Sequence, residues 1–178
     1  MKVITWRFNL YLALMVAVAL ICGCQTGKKK KKETLGALRI HLQVSSNDVG
    51  ASQTVSVVRS TPVSVTIGHD PVLTEANIQA ARIIDTPGGW AMQIHFDETG
   101  ALELEQYTAA NPGKHLVIFG QWGDKLVNGR WLAAPLITHR ISTGELAFTP
   151  DISRAEADQL VLGLNNVAAK VHNSIFKS

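Results

Sequence analysis

The stretch Trp90-Ala-Met-Gln-Ile-His-Phe-Asp-Glu-Thr-Gly-Ala101 decides the fold class, because two structural periods meet inside it. From Trp90 to Phe96 apolar and polar side chains alternate, the period of a strand with one buried face. At Asp97 the period changes. Its carboxylate can accept the free amide protons of a helix's first turn, and Glu98 adds negative charge where the helix dipole favours it. Ala101, Leu104 and Thr108, with the neighbouring Leu102 and Tyr107, then form one apolar stripe until Asn111-Pro-Gly113 ends the helix.

Working outward from this junction gives the other elements. Thr86-Pro-Gly-Gly89 turns residues 90–96 back onto a short strand at 78–85. Earlier in the chain, Ala37-Leu-Arg-Ile-His-Leu-Gln-Val44 alternates as a half-buried strand, and residues 45–52 should turn. The β-branched runs 54–59 and 62–67 are expected to be a second and third strand, and Gly68-His-Asp-Pro71 breaks the pattern. His115-Leu-Val-Ile-Phe119 is nearly continuously apolar, which predicts a central strand. A turn at 123–129 leads to Arg130-Trp-Leu-Ala-Ala-Pro-Leu-Ile137, and Gly144-Glu-Leu-Ala-Phe148 is another short strand. Ser153-Arg-Ala-Glu156 has the form of a capping box. The helix behind it places Ala157, Leu160, Val161, Leu164, Ala168, Val171 and Ile175 on one face. Hairpin strands with two separated helices predict an α+β fold: a largely antiparallel sheet with two amphipathic helices packed on one face, in a single domain over 37–178.

The chain ahead of that domain reads as export and attachment. Lys2 and Arg7 precede the apolar run Leu10-Tyr-Leu-Ala-Leu-Met-Val-Ala-Val-Ala-Leu-Ile21, and no acid appears before Glu33. A bilayer-spanning helix needs roughly 20 apolar residues, and a signal core about 7–15. Ile21-Cys22-Gly23-Cys24 ends the run and resembles the lipobox of bacterial lipoproteins, in which the cysteine is acylated after cleavage. The resemblance implies a signal peptide at 1–23, recognition through Ile21, Cys22 and Gly23, and a bilayer anchor at Cys24. Residues 24–36 would then be a tether carrying Lys28, Lys29, Lys30, Lys31 and Lys32, which could rest on anionic head groups at about 1 kcal/mol each or serve as a solvated spacer. The competing reading is an uncleaved anchor, since a lysine block resists translocation. Gln25 is not the aspartate associated with inner-membrane retention, so the expected location is the outer membrane, facing the periplasm, if the cell has two membranes.

Charge separates tether from domain. The chain carries a formal +3, yet from Glu33 onward ten Lys and Arg stand against fourteen Asp and Glu, a balance of −4. A nucleic-acid-binding domain carries its basic residues on its own fold, so that class is excluded. With Cys22 removed and Cys24 alkylated, no disulfide or thiol chemistry is available.

From Leu73 to Gly163 the order of features resembles the head subdomain of the first periplasmic domain of SecD, the membrane protein that assists Sec export. The matching pieces are Leu73-Thr-Glu-Ala-Asn-Ile78 with Ala81-Arg82, then Phe96-Asp-Glu-Thr-Gly-Ala101 and Asn111-Pro-Gly-Lys-His-Leu116. Ala134-Pro-Leu-Ile137 follows, then residues 141–144, and finally Phe148-Thr-Pro-Asp-Ile-Ser-Arg-Ala-Glu-Ala157 with Leu160. The resemblance implies a small α+β module contacting polypeptide on the outer side of a membrane, with exported chains or Sec components as partners. The sequence departs from the family in its longer Trp122–Trp131 hairpin, in Thr138-His-Arg-Ile-Ser-Thr-Gly144 where the family is glycine-rich, and in lacking a set of transmembrane helices for proton-driven work.

The common catalytic motifs G-x-S-x-G, H-E-x-x-H, the P-loop and G-x-G-x-x-G are missing, so no enzyme and no cofactor is expected. The six histidines are scattered without the spacing of a metal-ligand set. Asp97, Glu98, Glu103 and Glu105 read as a solvated acidic face, and Lys114 as a charge partner at a helix end. Trp122, Leu126 and Trp131 flank one hairpin with a polar tip and are the candidate peptide contacts, because exposed aromatics beside an open strand can anchor an extended chain. Core packing is the competing role for the tryptophans. The function expected is non-enzymatic polypeptide binding; the alternative is a structural or adaptor lipoprotein docking one folded envelope partner.

Overall fold

Strand alternation and one close helix crossing organise the chain. The computed structural model describes residues 34–45, 52–58 and 61–175, with side chains to Val171. The signal residues 1–23, Cys24 and lysines 28–32 lie outside the described residues, as does the side chain of Ile175. Strands β1 (Leu35–Leu42), β2 (Ser52–Val57), β3 (Val63–Gly68) and β4 (Leu73–Thr74) come first. β5 (Ile78–Thr86), β6 (Gly89–Phe96) and helix α1 (Glu98–Ala110) follow, then β7 (Leu116–Gly123), β8 (Asn128–Ala133), β9 (Glu145–Phe148) and helix α2 (Arg154–Ile175).

The fold is α+β with antiparallel pairing throughout the described strands. The strands form three sheets rather than one, in the orders β4-β1-β7-β8, β2-β3 and β5-β6-β9. β7 is central, as its continuous apolar run predicts: Leu116, Val117 and Ile118 are all buried because both faces of the sheet are covered there. α2 packs across β1 and β7 of the first sheet and β5 of the third, closing one core between them, while α1 lies against β4 and β6. Leu38, Ile40, Ile118, Ile94, Leu104 and Leu160 share that core. A second, smaller cluster of Val57, Val65, Ile67 and Val117 sits under the β2–β3 hairpin, on the opposite face of the first sheet.

Both helix starts are built as the sequence indicates. Asp97 accepts from the Gly100 amide at 2.8 Å. Ser153 and Glu156 form the reciprocal box, the Ser153 amide donating to the Glu156 carboxylate at 2.9 Å and the Glu156 amide to the Ser153 hydroxyl at 3.3 Å. The stripe on α1 is narrower than expected. Gly100, Leu104 and Thr108 are buried, whereas Leu102 is 55% exposed, because it lies half a turn from Leu104. Thr108 is satisfied inside the protein, donating to the Leu104 carbonyl at 2.7 Å and accepting from the Ile141 amide at 2.9 Å.

The first strand begins at Leu35, so Leu35 and Gly36 belong to the fold and not to the tether. The reason is a backbone crossing. A Cβ on Gly36 would stand 2.8 Å from the Leu164 nitrogen and 2.9 Å from the Leu160 carbonyl oxygen, and one on Gly163 would collide with the Gly36 nitrogen and the Leu35 carbonyl carbon. Two missing side chains let β1 and α2 touch main chain to main chain. The next residues of α2 fasten the contact: Asn166 donates to the Thr34 carbonyl at 2.9 Å. Asn165 reaches the other sheet, accepting from the Ala81 amide at 2.8 Å and donating to the Ala81 carbonyl at 2.9 Å. Gly163→Ala should therefore destabilise the fold by about 3 kcal/mol, at the upper end for overpacking because the obstacle is backbone. Gly88→Ala, where an added Cβ meets nothing within 4 Å, should leave stability unchanged. Urea unfolding midpoints for the two variants check this.

Candidate functional site

Odd and even residues of β1 and β7 face opposite ways. Leu38 and Ile40 turn toward α2; Arg39 and His41 turn away. Across the ladder Arg39 pairs with Phe119 and His41 with Val117, so Phe119 shares the outer face. The register of β7 with β8 sets Trp131 directly opposite Phe119. The β2–β3 hairpin covers the Val117 end of this face and reaches Trp131; the part beyond is open.

The open part is a groove of about 530 Å³ lined by Arg39, His41, Gln53, Phe119 and Trp131, with His69, Asp70 and Pro71 on its rim. Phe119 and Trp131 form its floor, ring centroids 5.0 Å apart and tilted by 58°. His41 meets the edge of Trp131 at 5.5 Å and 69°. Tilted and edge-to-face packing of this kind is the arrangement that ring quadrupoles favour, and both rings are half-buried. Arg39 is exposed at the mouth, and His69 and Asp70 pair with each other at 3.4 Å.

His41 is buried, with its Nδ1 donating to the Gly68 carbonyl at 2.9 Å. Burial holds its pKa below the ordinary 6.5, the bond to Gly68 opposes that shift, and the Arg39 charge adds to it. The neutral ring therefore keeps Nε2 unprotonated and ties the end of β3 to the first sheet. A cluster built this way can hold an apolar or aromatic side chain against Phe119 and Trp131, with polar main-chain partners at the rim. Among the described residues no group of three or more His, Cys, Asp or Glu gathers at a metal-binding separation, and no helix is long and apolar enough to cross a membrane.

The three hairpin residues expected to contact peptide are not brought together. Trp122 is 1% exposed and lies in the main core, with the Arg130 guanidinium 5.3 Å over its ring. Parity explains the correction: three residues beyond Phe119, it points to the α2 side. Leu126 is half-buried in the 3₁₀ turn Asp124–Leu126 and does not line the groove. Trp131 alone reaches the open face. Its neighbours on that face are Phe119 and His41, which the patterns of β1 and β7 taken singly do not mark as binding residues. The signal was present, since Arg39, His41 and Phe119 occupy one parity once β1 and β7 are paired.

Antiparallel sheets joined by one helix that crosses two of them, with a second helix alongside, define an α+β module. The chain belongs to the family of SecDF P1 head subdomains, whose family model matches residues 52–170, a longer span than residues 73–163 alone suggest. A crystal structure of SecDF in its super-membrane-facing form shares 22% identity with a TM-score of 0.52, covering 73% of this chain and 18% of that one. A structure of SecDF, described as a membrane component that enhances protein export, shares 21% identity with a TM-score of 0.51, covering 75% of this chain and 63% of that one. The chain thus spans less than two thirds of each matched SecDF chain, and at these identities the likeness is one of fold. No curated protein matches it.

The depressed pKa of His41 has a defined consequence for stability. As pH falls below 6.5 the unfolded chain takes up this proton before the folded one does, so the penalty on folding builds up between 6.5 and the lower folded value, stays in full below it, and is absent well above 6.5. Thermal melts at pH 7.5 and 5.5 should show a smaller acid-induced loss for His41→Gln than for the wild type.

Proposed function

We propose that this chain is a non-enzymatic, membrane-tethered module that binds polypeptide segments outside the cytosol, in association with protein export. The observation that carries the reading is the open groove over Phe119 and Trp131, a preformed aromatic floor with a cation at its mouth on an otherwise acidic domain. Aromatic anchors of this type dominate the binding energy of small interfaces. Family membership supports the link to export, which one matched SecDF structure is described as enhancing.

Attachment follows from the sequence. Residues 1–23 are removed, Cys24 is acylated, and lysines 28–32 lie against lipid head groups, holding the domain on the periplasmic face of a membrane, the outer one where two exist. More than one acyl chain anchors durably. Cys24→Ser should move the protein from the membrane to the soluble fraction of an osmotic-shock extract, and retention in the membrane would point to the apolar segment as an uncleaved anchor.

The groove itself is tested by in-cell photo-crosslinking from position 131. A spread of exported polypeptides should be captured, and Phe119→Ala should reduce the yield about tenfold, the effect of losing one anchor side chain. A single dominant folded protein would instead establish the adaptor reading, and capture of cytosolic chains alone would refute export.

A further inference from the structure

The third sheet has two edges, and they are treated differently. In the β6–β9 ladder Phe96 donates to the Gly144 carbonyl at 2.9 Å, and Ile94 faces Leu146 two residues along. Main-chain bonds alternate along an antiparallel pair, so residues 144, 146 and 148 bond to β6. Residues 145 and 147 direct their main-chain groups away from it. The same alternation on the far side aims the Ala81 amide and carbonyl out of β5, where the Asn165 side chain meets both. Asn165 acts there as a substitute strand. On β9, among the described residues, only the Glu145 amide is met, by the Thr143 hydroxyl at 3.4 Å. The Glu145 carbonyl and the Ala147 amide and carbonyl face a groove of about 300 Å³, whose apolar wall includes Leu136, Ile137 and Ile141. Leu136 is 51% exposed, and Ala147 is exposed.

We infer that the outer edge of β9 is a docking strand that binds an extended polypeptide segment by main-chain pairing, as a fourth strand on β5-β6-β9. A row of acceptor, donor and acceptor repeating at strand spacing is matched by another extended main chain and by few other ligands. Side chains of the incoming strand alternate. One set enters the groove beside Leu136 and Ile141; the other lies over the polar face formed by Gln93 and Glu145, which are joined by a 2.8 Å hydrogen bond. The occupant is therefore a segment with alternating apolar and polar residues. Pro150 limits the pairing to about residues 145–149, because it has no amide to donate. This site is distinct from the aromatic groove and does not depend on it.

The test uses the full chain in detergent and a fluorescein-labelled ten-residue peptide of alternating valine and threonine, followed by anisotropy. Saturable binding is expected. Ala147→Pro, which removes the donor at an edge position that tolerates proline, should weaken it about tenfold or more. A peptide N-methylated on alternate residues should be weakened alike, while Phe119→Ala leaves binding unchanged. Equal binding by Ala147→Pro and by the N-methylated peptide, or no binding by the wild type, overturns the inference. Self-association of the wild-type chain that Ala147→Pro abolishes also overturns it, making a second copy the occupant. Should Ala147→Pro fail to fold, hydrogen exchange on the wild type decides: the peptide must slow exchange at the Ala147 amide, and no slowing refutes the docking strand.

Discussion

The contact between Gly36 and Gly163 sets the rest of the structure. Helices usually sit on sheets with a layer of side chains between them; here the main chains of β1 and α2 touch, which fixes the helix in height and position along the strand. Only that placement lets Asn166 reach Thr34 and Asn165 reach Ala81, so one helix joins the first sheet to the third. The core is a consequence. Leu160 and Leu164 enter it on either side of the crossing, and Gly120, where a Cβ would meet Leu132 at 2.6 Å and Leu160 at 3.2 Å, makes room for them on β7.

A helix pressed onto one face of the first sheet leaves the other face to be covered by something lighter. The β2–β3 hairpin does this with Val57, Val65 and Ile67, which bury Val117 and reach Trp131. Phe119 and Arg39 extend beyond that cluster, and Trp131 stands half-buried at its margin. The groove is thus a product of unequal cover, and its residues lie outside the principal core. That arrangement allows a binding surface to vary without disturbing the crossing that holds the domain together.

Much of this was legible in the amino-acid sequence, and the failures share one cause. Local signals were reliable: Asp97 and the Ser153–Glu156 box cap their helices, and the unbroken apolar run at 115–119 is central. Facts that need two elements at once were not readable. Gly36 looked like tether because its partner, Gly163, is 127 positions away. The division into three sheets depends on which strands meet, not on whether they exist. Trp122 and Trp131 flank one hairpin, but Trp131 pairs with Phe119, three residues from Trp122, so the parity of β7 sends the two tryptophans to opposite sides. Phe119, four residues into an apolar run, had no property that marked it as exposed until β1 was placed alongside.

The two unequal edges of the third sheet follow from the same crossing. α2 passes beside β5, and Asn165, set by the Gly163 contact two residues earlier, lies level with Ala81, whose amide and carbonyl both point outward. Among the described residues no strand pairs with the outer edge of β9. An open edge invites unwanted pairing, and proteins commonly limit it by keeping the strand short or adding charge. β9 is four residues long, bounded by Gly144 with its positive φ of 69° and by the Thr149-Pro150 step. Glu145 engages both Gln93 and Arg82 on its polar face. These features limit how long a pairing can grow without closing the site. A short, guarded edge is suited to reversible capture of a single extended segment, and much less to the indefinite stacking that an open, unguarded strand would permit.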